Sequence, residues 1–267
     1  MTDRRVPPQV SREFVFTANV SDPHFLFCDD TTLKAHPDYR AAKAGDQVAA
    51  VNVVWDLATD FLVKVVGTLP QDVIYVAPFA REATGDNAIP QVLAAACASI
   101  AGGKVDNEIV QVTRVFHTGA DPMERLCLRA QFEGCVSAGG HYILVDDVIS
   151  MGGTLAELAD YIQRAGGLVI AIVTLVNAGR NKLLRAEPKI IKKLQERYKN
   201  EILNIFGIQI NALTANEAQY LIGFRTAGEI RNRLAKARKE IHLRLRSKGI
   251  RLADEGEDAG DGWLDDT

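Results

Sequence analysis

The chain has no apolar run approaching the roughly 18 residues that would span a bilayer. Its longest, residues 168–176, has the length of a buried strand. The opening MTDRRVPPQVSREF carries arginines with no apolar stretch behind them, so it does not read as a secretory signal. Cysteine is sparse: Cys28, Cys97, Cys127 and Cys135 are scattered, with no C-x-x-C spacing among them. This argues against a metal site and suggests reduced core thiols in a cytoplasmic protein. Familiar catalytic signatures are missing as well. There is no G-x-G-x-x-G, no Walker A lysine, no H-E-x-x-H, and no G-x-S-x-G around Ser150. Nucleophilic serine catalysis therefore has no support, and no internal repeat marks a solenoid.

What is present is ordinary in bulk. The 267 residues are 47% hydrophobic and 24% charged, enough for one sizeable α/β domain with appended elements or for two small domains. The net charge of −3 hides an asymmetry. Between Arg225 and Arg251 basic residues far outnumber Glu229 and Glu240, whereas from Asp254 onward there are acids and no Lys or Arg. A basic helix followed by an acidic tail suits either nucleic-acid contact or a tail that folds back electrostatically. Packing of that helix on the core is the favoured reading, and nucleic acid is the alternative.

The pattern along the chain divides it. Residues 1–45 are irregular, with prolines and the Asp29-Asp30 pair, and form an N-terminal extension that could act as a hood. Helical spacing of Val51, Val54, Leu57, Phe61 and Val65 predicts a helix over 46–66. The run 73–79 predicts a buried parallel strand. An alanine-rich helix over 89–101 stops at Gly102-Gly103. Strands are then expected at 109–116, 142–145 and 168–176, with a helix over 153–164 ending at Gly166-Gly167. Alternation of strand and helix implies a doubly wound α/β fold with a mostly parallel sheet over 46–180. Ligands of such sheets bind at the carboxyl ends of the strands, which singles out the loops 78–87, 116–140 and 146–154. Residues 181–252 read as a helical extension. It holds an amphipathic segment over 188–206, capping boxes at Thr214-x-x-Glu217 and Thr226-x-x-Glu229, and a long helix with Ile230, Leu234, Ala237, Ile241 and Leu245 on one stripe. Residues 253–267 are expected to be an acidic, disordered tail.

One segment carries chemistry: His141-Tyr-Ile-Leu-Val-Asp146-Asp147-Val-Ile-Ser150-Met151-Gly152-Gly153-Thr154-Leu155. A hydrophobic strand ends in two adjacent carboxylates, and a short loop closes on a helix through Gly-Gly-Thr. The glycines let consecutive N–H groups point into one concavity at a helix N-terminus, where the dipole favours an anion. Thr154 can add a hydroxyl donor. Such a loop suits a phosphate monoester. The neighbouring carboxylates repel phosphate but accept hydrogen bonds from vicinal hydroxyls. A sugar phosphate meets both demands.

This segment resembles the phosphoribosyl-pyrophosphate signature of the type I phosphoribosyltransferases: four apolar residues, two acids, two apolar residues, then a Ser/Thr/Gly-rich loop. The likeness extends over about residues 70–180. There, Val73-Ile-Tyr-Val-Ala-Pro78-Phe-Ala80-Arg81 looks like the first strand and pyrophosphate loop. Asn87 follows, Arg114 ends the second strand, and Arg125 and Phe132 come before the signature. The spacing is most similar to the competence-associated amidophosphoribosyltransferase-like proteins, although Ala88 stands where they carry Gln after Asn87. Two positions depart from the wider family. Ser150 replaces the aspartate of 6-oxopurine salvage enzymes, which makes hypoxanthine or guanine an unexpected acceptor. Met151 replaces a common hydroxyl donor, a loss of roughly 1 kcal/mol in phosphate binding.

The resemblance implies an enzyme that binds phosphoribosyl pyrophosphate and Mg²⁺ and transfers phosphoribose to a base or amine with release of pyrophosphate. It implies that Asp146 and Asp147 hold the ribose hydroxyls and the metal. Ser150, Met151, Gly152, Gly153 and Thr154 would bind the 5-phosphate, and Ala80 and Arg81 the pyrophosphate. Arg114 would be catalytic, and His117 and Arg125 would belong to a loop covering the site. A nucleoside monophosphate is the other expected ligand, and a homodimer the expected assembly. Two further readings share the site: a non-catalytic sensor of the same ligand, touching nucleic acid through the basic helix, and a toxic effector that attacks nucleotides.

Overall fold

The structure, a computed structural model, describes residues 10–17, 20–79, 81–82, 85–113 and 121–247. Its framework is a five-stranded sheet in the order β1-β9-β8-β2-β5, every neighbouring pair parallel. The strands are β1 (His24–Phe27), β2 (Ile74–Val76), β5 (Lys104–Val105), β8 (His141–Ile149) and β9 (Leu168–Asn177). Two short antiparallel ribbons lie outside it: β3 (Arg81–Glu82) with β4 (Gly85–Asp86), and β6 (Val110–Gln111) with β7 (Phe132–Glu133).

Side-chain alternation along β8 explains why both faces need cover. Ile143 and Val145 point into one apolar cluster, and Tyr142 and Leu144 into another. The first cluster is closed by α3 (Gln47–Val66) and α4 (Ile89–Ala101), contributing Val53, Ala58, Leu62, Leu93 and Cys97. The second is closed by α6 (Gly153–Arg164), through Leu155, Leu158 and Ile162. Each fully buried aliphatic side chain contributes about 1.5–3 kcal/mol. The result is a doubly wound, three-layer α/β architecture.

The N-terminal segment is less irregular than its composition suggests. β1 extends the sheet beside β9, and α1 (Thr31–Ala35) and α2 (Tyr39–Lys43) lead into Asp46, which caps α3 through the N–H groups of Val48 and Ala49. The buried face of α3 runs through Val53, Val54, Ala58 and Leu62, so Val51 is left exposed.

The strand expected at 109–116 is corrected over 109–113, and residues 114–116 lie outside the described residues. The second core strand is β5, and β6 leaves the sheet to pair antiparallel with β7. The loop expected over 116–140 contains a helix, α5 (Pro122–Cys127), with Asp121 and Glu124 forming a complete capping box. The cysteine expectation is corrected in part: Cys97 is buried and Cys127 half-buried, but Cys28 and Cys135 are exposed, and all four are free.

After β9 the chain is helical: α7 (Pro188–Tyr198), α8 (Glu201–Phe206), α9 (Ala215–Leu221) and α10 (Ala227–Ser247). The single amphipathic segment expected over 188–206 is broken at Lys199, which adopts a positive φ of 47°. These helices and α5 enclose a third cluster, which includes Met123, Leu126, Leu194, Tyr198, Leu221 and Ile230. The acidic tail lies outside the described residues.

Candidate active site

The sheet order places a topological switch between β2 and β8, because the chain passes from β2 outward to β5 and then back to β8 on the other side. A cleft of about 270 Å³ opens there, at the carboxyl ends of the strands. Pro78 after β2, Asn87 before α4, Asp146 and Asp147 on β8, and the loop from Ser150 to Thr154 line it together.

Strand alternation separates the two acids. Asp147 shares the parity of Ile143 and Val145 and turns toward the α2–α4 side. Its Oδ2 accepts from Lys43 Nζ at 3.2 Å and from Asn87 Nδ2 at 3.1 Å. Asp146 takes the other parity, and its Oδ1 accepts the Asp147 backbone N–H at 2.8 Å. Burial, followed by the neighbouring Asp147 carboxylate, raises the Asp146 pKa well above the usual carboxylate range. Ionisation of Asp146 is thus disfavoured where it stands beside Asp147.

The loop beyond β8 is shaped by glycine. Gly152 is the N-cap of α6 with φ 78°, a left-handed conformation. A Cβ there would also meet Leu184 Cδ2 at 3.0 Å. Gly152 brings no side chain to cap the first turn of α6, so the positive end of that helix opens on the cleft. The Met151 side chain is buried in the third cluster beside the C-terminal helices. Its carbonyl accepts from Thr214 Oγ1 at 2.6 Å, the N-cap of α9. Ser150 Oγ accepts from Arg125 Nη1 at 3.0 Å.

Beneath the loop lies a charge network that sequence reading did not find. Arg12, fully buried, donates from Nη1 to Glu157 Oε1 at 3.0 Å and from Nη2 to Glu217. Burial alone would lower the Arg12 pKa, but Glu217 and Glu157 outweigh it and the net shift is upward. Arg129 holds both oxygens of Glu157, each at 2.7 Å. Arg12, Arg129, Glu157 and Glu217 all border the cleft.

Of the residues singled out from sequence, Asp146, Asp147, Ser150, Met151, Gly152, Gly153 and Thr154 come together. Arg81 has its backbone in β3, paired with Asp86, and its side chain lies outside the described residues. Ala80, Arg114 and His117 lie outside them too. Arg125 is not on an open covering loop but on α5, against Ser150. Lys43, Tyr39 and Arg12 carry no local motif. Their places depend on long-range packing, and no spacing rule could have found them. Arg125 was reachable, since Asp121-Pro-x-Glu124 is a helix-start signal.

Residues 91–211 match the phosphoribosyl transferase domain family. Protein TraN of Escherichia coli is 38% identical over 221 residues, which cover 80% of this chain and 49% of TraN. The chain thus spans about half the length of that relative. Adenine phosphoribosyltransferase of Pseudoalteromonas translucida is 24% identical over 196 residues, 72% of this chain and 97% of that one. Among solved structures, adenine phosphoribosyltransferase from Thermoanaerobacter pseudethanolicus is similar over 49% of this chain and 73% of that chain, at 16% identity and a TM-score of 0.34. Over residues 91–211 the chain is thus similar to phosphoribosyl transferase domains.

Proposed function

We propose that this chain binds phosphoribosyl pyrophosphate with Mg²⁺ and transfers phosphoribose to a nitrogenous base or amine, releasing pyrophosphate. The observation that carries this reading is the juxtaposition of Asp146 and Asp147 with the Gly152-Gly153-Thr154 loop in one cleft, at a sheet switch point and a helix N-terminus. The loop takes the 5-phosphate. The two acids face the ribose hydroxyls.

The donor set fits Mg²⁺, because carboxylate oxygens suit a hard dication. A dication also offsets the burial, and the Asp147 repulsion after it, that raise the Asp146 pKa. Asp146 and Asp147 would hold the metal, which supplies charge neutralisation at the leaving group. The protein's own work is positioning and electrostatic stabilisation. Lys43 and Asn87 fix the Asp147 carboxylate so that it faces the sugar. One carboxylate can then stabilise positive charge developing on the ribose as the acceptor nitrogen approaches C1.

The test is pyrophosphate release from phosphoribosyl pyrophosphate and Mg²⁺ across a panel of bases and amines. Release with at least one acceptor, abolished by Asp146→Asn with Asp147→Asn, supports the reading. Tight ligand binding with no release across the panel would favour a sensor. No binding by the folded protein at millimolar ligand would end both.

A further inference from the structure

The Met151 side chain is buried in the third cluster, against α5 and the C-terminal helices, and a thioether is no hydrogen-bond donor. The same helix α5 brings a guanidinium to the loop. Arg125 lies on α5, borders the cleft, and donates from Nη1 to Ser150 Oγ at 3.0 Å.

We infer that Arg125 is a ligand of the anion held by the Ser150–Thr154 loop. The inference rests on the phosphoribosyl reading of the site and assigns Arg125 to the 5-phosphate end rather than to the pyrophosphate. A hydroxyl has one proton and two acceptor positions. Because Ser150 Oγ accepts from Arg125, its own proton is directed away from the guanidinium, toward whatever acceptor the loop encloses. Arg125 therefore acts on the anion directly through charge and indirectly by orienting the Ser150 hydroxyl. Its surroundings suit an anion. Burial lowers the Arg125 pKa, and Glu124 and Asp121 offset this only in part. Glu124 is itself engaged, since its Oε2 accepts the Asp121 N–H at 2.9 Å in the capping box.

The experiment measures dissociation constants of the full chain for two probes, ribose 5-phosphate and magnesium pyrophosphate. Arg125→Ala should weaken ribose 5-phosphate by about tenfold or more, the cost of one charged hydrogen bond. Magnesium pyrophosphate should be held as in the wild type. Arg125→Lys should fall between, and it serves as the reading if the alanine variant does not fold. Ser150→Ala should cost less on the Arg125→Ala background than on the wild type, because the two side chains act as a unit. Equal ribose 5-phosphate affinity in wild type and both Arg125 variants would overturn the inference. So would a loss confined to pyrophosphate. A folded wild type that binds neither probe removes the phosphoribosyl reading itself, and this inference with it.

Discussion

Arg12 and Glu217 stand 205 positions apart in the sequence and form a buried ion pair directly beneath the Ser150–Thr154 loop. Glu217 is also the N3 residue of the α9 capping box, and its Oε1 lies 3.0 Å from where a Cβ on Gly153 would sit. An acid buried this deeply is tolerable only if its charge is cancelled. Arg12 does this for Glu217 and shares Glu157 with Arg129.

Arg12→Ala is therefore expected to destabilise the protein by about 3–5 kcal/mol, the cost of leaving the buried Glu217 carboxylate without its cation. Urea unfolding of wild type and variant measures it. Adding Glu217→Gln to Arg12→Ala should recover part of the loss by removing the uncompensated charge. A single variant within about 0.5 kcal/mol of wild type would show that Glu217 is neutral or solvated.

Asp146 gives a pH signature. Its carboxyl pKa is raised in the folded state above the ordinary value of 3.8. Between that value and the raised one, the folded chain holds a proton that the unfolded chain has lost. Stability falls as pH rises through this window. Asp146→Asn cannot ionise, so it escapes the loss. The stability difference between variant and wild type should grow in the variant's favour from pH 4 to pH 8, in the absence of metal. A difference that stays flat across that range would mean Asp146 ionises as freely as in the unfolded chain.

The basic helix α10 should behave as a packing element. Ile230 and Ala237 are fully buried, Arg231 pairs with Glu201, and Arg233 pairs with Asp121. Ile230→Asp should cost about 3 kcal/mol or more by burying an unpaired charge. Arg238→Ala with Lys239→Ala, both at exposed positions, should leave stability unchanged. Binding assays at two salt concentrations complete the test. A nucleic-acid affinity that falls steeply with salt and weakens in the Arg238/Lys239 variant would reverse the assignment.

Sequence reading succeeded where local chemistry and long-range packing agree. α4 and α6 begin and end where their glycine stops and apolar spacing place them. The residues of the Asp146–Thr154 segment come together at one cleft because strand, acids and loop are contiguous. The reading failed where tertiary pairing overrode propensity. The β-branched run after Ile109 has a stronger strand pattern than Lys104–Val105, yet Val110 pairs with Glu133, and the two-residue β5 takes the place in the sheet. A strand that short carries no periodicity to detect. The walls of the cleft were hidden for a related reason. Lys43 comes from α2 and Arg12 from the segment before β1, and both reach the cleft through folding across more than a hundred residues.

The burial of Met151 among the C-terminal helices has a consequence for how this protein can be taken apart. The loop's backbone is fastened to Thr214, its methionine fills a space lined by α5 and α9, and Arg12 locks the underside from the opposite end of the chain. The sheet core and the helices after β9 therefore have no clean seam between them. A graft exchanging the helical extension with that of a relative would need to carry the residue at 151 and the segment around Arg12 along with it. These positions form one heritable module even though the sequence scatters them, so recombination between relatives is expected to respect that set rather than the boundary after β9.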